Sequence, residues 1–340
     1  MRFFSRFAPL ALVAAAALSP AATPDAEAQI LPAFGEDRAG TAGFLFLRVP
    51  ADPRTAALGE SVAAGAADAT ALFHNPALAS RGGRYGATGG VTRYYADTQL
   101  FYAGGYTNIG AFTLGVSTQG FTSGDMAVTT EFDPDGSSGQ TFGMQSWSGG
   151  LTVGQSLTDL FSYGVTVKYA VESVAEVQYD AFLADLGVFY RIGETGVQLG
   201  VAIRDFGLDG TPSSDLTRPT LDGPQDVEDL TNVTAPTTFL LGVGYRVPLP
   251  SSQHDLQVLT QLVNPNDNAE RFNVGAEYTF AQVLTLRGGY QLGREFHSVP
   301  SLGFGVQAPG IGPEIRADYG FTRHDLLGSV HRIGVTLGLD

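Results

Sequence analysis

From Tyr85 onward, apolar side chains recur at every second position, a period that puts successive residues on opposite faces of a β-strand. At the C-terminus Ile333, Val335, Leu337 and Leu339 share one face, opposite Arg332, Gly334, Thr336 and Gly338. The same pattern sets Val197, Leu199, Val201 and Ile203 against Gln198, Gly200, Ala202 and Arg204. It predicts fourteen strands, over 85–95, 98–107, 111–121, 145–154, 161–172, 180–191, 196–206, 236–247, 254–263, 271–280, 283–292, 299–308, 311–321 and 329–339. Short turns near 108–110, 155–160, 192–195, 248–253, 281–282 and 309–310 alternate with longer connections near 122–144, 173–179, 207–235, 264–270, 293–298 and 322–328. Only the tight Tyr95–Thr98 connection breaks that rule. An even number of roughly ten-residue alternating strands, with turns on one side and loops on the other, is the pattern of an outer-membrane barrel. A soluble sandwich also alternates, but its hidden face packs on a second sheet and gives no reason for two-sided loop asymmetry. Because an open edge in lipid would leave backbone groups without partners, the first strand must pair with the last.

Composition narrows the function classes. Charged residues make up 16% of the 340-residue chain, against about 25% in ordinary soluble domains. With 19 Lys and Arg against 34 Asp and Glu, the net charge is -15, and Lys168 is the sole lysine. Such a chain cannot neutralise a phosphate backbone, so nucleic acid is not among its expected partners. The absence of cysteine removes disulfides, thiolate metal sites and thiol catalysis. The five histidines, at 74, 254, 297, 324 and 331, form no pair at ligand spacing. Asp133–Gly136 and Asn264–Asn268 resemble fragments of calcium loops without the distal Glu. No metal, no cofactor and no catalytic residue is therefore expected, and the chain reads as a non-enzyme. Gly303–Ala308 fits a dinucleotide string but lies within a strand, where its glycines are expected to relieve crowding on the lumen face.

The N-terminal part follows other rules. Arg2 and Arg6, the apolar run Ala8–Leu18 and the Ala26–Ala28 cleavage pattern read as a signal peptide over 1–28. Residues 29–84 lack the strand period. Ala56–Phe73 is alanine-rich and helix-compatible, with Asp68 as a candidate N-cap and Pro76 as a stop. Fourteen strands enclose a lumen too wide for their own side chains to fill, so this segment is expected to plug it. The expectation is an all-β fold: a 14-stranded antiparallel transmembrane β-barrel over 85–340 with an N-terminal, partly helical hatch in the lumen over 29–84. Asn75, Pro76 and Ala77 are expected to form a tight turn that caps the preceding helix. Lys168, Arg204, Glu277 and Arg287 alternate with lipid-facing residues and should point inward to hydrogen-bond the hatch. The acids of Gly207–Ala235, namely Asp209, Asp215, Asp222, Asp226, Glu228 and Asp229 against Arg218, mark a solvated loop.

Two resemblances add to this reading. Arg332, Gly334, Leu337 and Leu339 resemble the polar-x-Gly-x-x-apolar-x-apolar signal read by the barrel-assembly machinery, with Asp340 where many such proteins end in an aromatic. Gly40–Gly43, Phe46–Leu47, Ala57–Gly59 and Ala67–Ala77, which includes Asn75-Pro76-Ala77, resemble the N-terminal signature of the PorV/PorQ family. That family is similar in turn to the long-chain fatty-acid transporter (FadL-like) barrels. His74 departs from the tryptophan expected before Asn-Pro-Ala, and Glu60 from a small residue. The resemblance implies a barrel in the outer membrane of a Gram-negative bacterium with outer-membrane lipid around it, and the even strand count with its short turns predicts both termini on the periplasmic side. The resemblance further implies a type IX secretion component that binds cargo or translocon, or alternatively a channel for hydrophobic small molecules.

Overall fold

The computed structural model describes residues 40–65, 67–129, 133–175, 177–213, 216–220, 223–227, 230–294, 298–308 and 314–339. The expected signal peptide, residues 29–39 of the expected hatch, Asp215, Asp222, Glu228, Asp229, His297 and Asp340 lie outside the described residues, and Arg218 and Asp226 are described by their backbone alone.

Fourteen long strands form the wall: β1 (Tyr85–Arg93), β2 (Gln99–Ile109), β3 (Phe112–Thr122), β4 (Met144–Ser156), β5 (Phe161–Val174), β6 (Val177–Arg191), β7 (Val197–Gly207), β8 (Thr238–Val247), β9 (His254–Pro265), β10 (Arg271–Phe280), β11 (Leu284–Leu292), β12 (Ser301–Ala308), β13 (Glu314–His324) and β14 (Gly328–Leu339). Each pairs antiparallel with its chain neighbours, and β1 closes on β14 from Tyr85↔Leu339 to Arg93↔His331. The expected closed 14-stranded barrel is thus present.

The connections depart from the expected alternation. Val174 pairs with Val177, so the strands extend through most of the longer connection expected over 173–179, and 325–327 is tight as well. The asymmetry is carried mainly by 123–143 and 208–237. The second holds a small ribbon, Leu216–Thr220 with Gly223–Val227, and Thr211–Pro212 adds to the edge of β6.

The wall has the two faces that its period requires. On β14, Ile333 is 59% exposed while Arg332 is 3% exposed. Much of the inner face is covered, because residues 43–65 and 67–84 lie in the lumen. Gly43 N donates to Thr234 O at 3.0 Å at the loop end, and Arg81 Nη2 donates to Asp159 O at 2.5 Å at the turn end. The segment therefore crosses the lumen from the loop end to the turn end. The first described residues lie at the loop end, and Leu339, paired with Tyr85, lies at the turn end.

This segment holds a 3-10 turn at Leu45–Arg48, helix α1 (Pro53–Ala57), a second 3-10 turn at Ala69–Phe73 and helix α2 (Pro76–Ala79). The helix-compatible run from Ala56 to Phe73 is therefore broken. Gly59 and Glu60 have φ of +60° and +66°, a left-handed step that ends α1. The apolar core lies between hatch and wall: Leu72, Phe73, Ala77 and Leu78 pack on Tyr102, Tyr106 and Phe189, and Phe44, Phe46 and Leu47 pack on Ala170, Leu183 and Ala235. No helix among the described residues is long and apolar enough to cross a membrane.

Candidate functional site

The hatch is shaped by three short polar caps. Asp52 Oδ1 accepts from Thr55 N at 2.9 Å to open α1, with Pro53 at the first helical position. Asp68 Oδ1 accepts from Thr70 N at 2.9 Å. Asn75 Oδ1 accepts from Ala77 N at 3.1 Å, and its amide donates to Ala63 O at 2.8 Å and to Val188 O of β6 at 3.2 Å. Asn75-Pro76-Ala77 thus opens the helix that follows it instead of capping the one before. Proline at the first helical position, where no amide hydrogen is needed, is what allows a helix to start there.

Wall glycines let the hatch approach. A Cβ at Gly187 would collide with Asn75 Oδ1, and one at Gly200 with Ala63 O. A Cβ at Gly303 would stand 2.5 Å from the Ala57 Cβ, so this glycine makes room for the hatch.

The four inward charges separate into two groups. Arg54 of α1 grips Glu277 of β10 with two hydrogen bonds of 2.8 Å. Glu277 also accepts from Arg287 Nε at 2.6 Å, and Arg287 Nη1 donates to Asp318 of β13 at 2.7 Å. Arg316 then donates to Asp318 at 2.8 Å and to Asp68 of the hatch at 2.7 Å, and Asp68 stands 3.7 Å from Arg54. Three guanidinium groups and three carboxylates form a closed, charge-neutral ring that joins hatch to wall. Burial opposes the Asp68 carboxylate, but Arg316 and Arg54 hold it below the usual range.

Lys168 behaves differently. Its Nζ lies 2.6 Å from Asp185 and 2.7 Å from Asp205, both on the wall, so its ion pairs join wall to wall and not, as the sequence reading assigned, wall to hatch. Arg204 does reach the hatch, donating to Leu47 O at 2.9 Å. Asp205 sits at φ +54° beside the register shift between Ala184 and Leu186. Of the residues resembling an assembly signal, Arg332 and Gly334 face the lumen, while Leu337 and Leu339 are 40% and 42% exposed on the outer face.

Several residues of this lattice escaped the sequence reading. Asp185 and Asp318 carried a signal: each interrupts an apolar alternation with a charge on the lumen parity, as Glu277 does. Arg54 and Asp52 carried none, since the hatch has no period. Thr55, His74 and Asp52 bring hydroxyl, imidazole and carboxylate together, but both partners meet Nε2, at 2.8 and 2.7 Å. A relay needs one partner on each ring nitrogen, so the trio reads as a structural tie. Asp133 accepts from the Ser137 and Ser138 amides at 2.8 and 2.7 Å, within its own loop. Among the described residues no group of three or more His, Asp or Glu is placed to hold a metal.

Cavities between hatch and wall are small. One of about 40 Å³ lies beside His74, Arg204 and Gln261, and one of about 180 Å³ lies towards the loop end beside Tyr94, Arg294 and Arg332.

No protein-family model matches the chain, and no curated protein matches it. Solved structures do. The Ralstonia pickettii toluene transporter TbuX is 14% identical over 88% of this chain and 98% of its own, with a TM-score of 0.55. What is shared is the fold. The Pseudomonas putida toluene transporter TodX is 13% identical over 84% of this chain and 96% of its own, with a TM-score of 0.53. A Pseudomonas aeruginosa FadL homologue is 11% identical over 85% and 98%, with a TM-score of 0.53. Two of these neighbours are described as toluene transporters and the third as a FadL homologue.

Proposed function

We propose that this chain is an outer-membrane channel for hydrophobic small molecules, gated by its hatch. In this reading residues 29–84 are the hatch and 85–340 the barrel, in the outer membrane of a Gram-negative bacterium with the short turns on the periplasmic side. The observation that carries it is the match of nearly the whole chain to hydrocarbon-transporter folds, together with a lumen filled by a hatch that polar contacts fasten to the wall. A solute crosses only if the hatch moves, and the ion ring resists that movement. Leu337 and Leu339, with Arg332 and Gly334, serve the assembly machinery before closure. The type IX secretion role implied by residues 40–77 rests on that motif alone.

The test is uptake of radiolabelled toluene and of a labelled long-chain fatty acid by cells that express the barrel but lack their own hydrophobic-solute channels. Uptake of either above the empty-vector rate, altered by Asn75→Ala/Pro76→Ala, is expected. Absence of uptake, with altered surface display of a secreted cargo in the same variant, would replace this reading with the secretion one.

A further inference from the structure

Beyond transport, and without resting on it, the cavity at the loop end has the chemistry of an anion site. The chain carries a net charge of -15, yet Arg48, Arg271, Arg294 and Arg332 all line one cavity of about 180 Å³. Two carboxylates oppose them. Asp267 pairs with Arg48, and Glu60 lies 2.9 Å from Arg271 and 3.6 Å from Arg294. Arg332 has neither. It is 3% exposed, its Nε donates to Pro50 O and its Nη1 to Thr322 Oγ1, both at 2.8 Å, and it makes no ion pair among the described residues. Arg271 Nε is likewise buried with no hydrogen-bond partner. A guanidinium withdrawn from water without an anion is costly, and buried charges are ordinarily paired. The space is sufficient, since a water needs about 10–15 Å³ by the same measure. The Tyr94 and Tyr95 rings border it.

We infer that this cavity binds a small oxyanion, a carboxylate or phosphate group, on Arg332 with Arg294 and Arg271 at its sides. Such a ligand supplies the missing negative charge and ties strands β10 and β14 to the hatch at Pro50 and Glu60. Two sources share this chemistry: a free inorganic anion and the acidic head of an amphipathic molecule.

Calorimetric titration of the detergent-solubilised full-length protein with inorganic phosphate and, separately, with hexanoate tests the proposal. Saturable binding of at least one is expected, weakening with added salt. Loss of one charged hydrogen bond in Arg294→Gln should weaken it about tenfold, while Arg246→Gln, on an exposed arginine distant from the cavity, should leave it unchanged. Arg332→Gln should abolish it, with heat-modifiable migration on gels confirming that the barrel has closed. Arg294→Gln decides the matter if Arg332→Gln fails to assemble. Phosphate alone identifies a free anion, and hexanoate alone an acidic head on an apolar tail. Binding of neither, or binding that Arg294→Gln leaves unchanged, overturns the proposal.

Discussion

Asn75 illustrates how much one small side chain can join. It caps α2, holds the Ala63 turn and reaches the β6 backbone at Val188. Replacement by alanine leaves those groups buried and unpaired, at about 1–3 kcal/mol for each that water cannot reach. Asn75→Ala should therefore speed protease cleavage within the hatch, while the closed barrel keeps its heat-modifiable migration. Glu60 makes a second, pH-dependent tie. Burial alone would raise its carboxyl, but Arg271 and Arg294 outweigh that and hold it at about 2, below its ordinary 4.5. A depressed carboxyl stabilises the fold above its ordinary value, and that stability is lost as pH falls towards 2. Hydrogen exchange at residues 58–62 should accelerate between about pH 4.5 and 2, and Glu60→Gln should remove most of that dependence.

Along a single strand, β14 separates two kinds of environment. Ile333, at 59% exposure near the strand centre, faces outward, while Leu337 stands two residues from the strand end. Ile333→Arg should cost about 2–4 kcal/mol if the strand centre lies at the bilayer midplane, with Leu337→Arg costing less. Yields of assembled barrel should rank in that order. The inner face offers no such tolerance. Thr336 is 7% exposed and pairs in register with Arg316, so an arginine there meets a like charge inside packed protein and not a watery lumen. Gly187→Ala tests the packing from the wall side: its Cβ collides with Asn75, and it should free the hatch without preventing barrel closure.

Across the whole molecule, a charge-neutral ring of six side chains ties the hatch to the barrel. The ring of Arg54, Glu277, Arg287, Asp318, Arg316 and Asp68 spans α1, the 3-10 turn at 69–73 and strands β10, β11 and β13. Removing one member leaves an uncompensated buried charge, at about 3–5 kcal/mol. Arg54→Met and Asp68→Asn remove opposite charges and restore neutrality together. The double variant should therefore be less destabilised than the sum of the singles, by about 0.5–3 kcal/mol. Denaturant midpoints for hatch release, followed by protease accessibility, measure that difference.

The number of wall strands, their ends to within three residues, the outward faces of β14 and of β7 as far as Ile203, and the closure of β1 on β14 were all legible along the chain. Alternation is a local property, so each strand reports its own faces, and unpaired backbone in lipid leaves closure as the sole outcome. The presence of a plug also followed, from barrel width. Its path from loop end to turn end did not, nor did the break of the alanine-rich run at Gly59–Glu60, the opening of α2 by Asn75, the extension of β5–β6 pairing to Val174 and Val177, or the partner of each luminal charge. Lys168 and Glu277 look alike in sequence, yet one pairs with the wall and the other with Arg54 of the hatch. Strand stagger around the closed barrel and the seating of an aperiodic segment set those distances, and both join residues far apart in the chain, for which a local period holds no record.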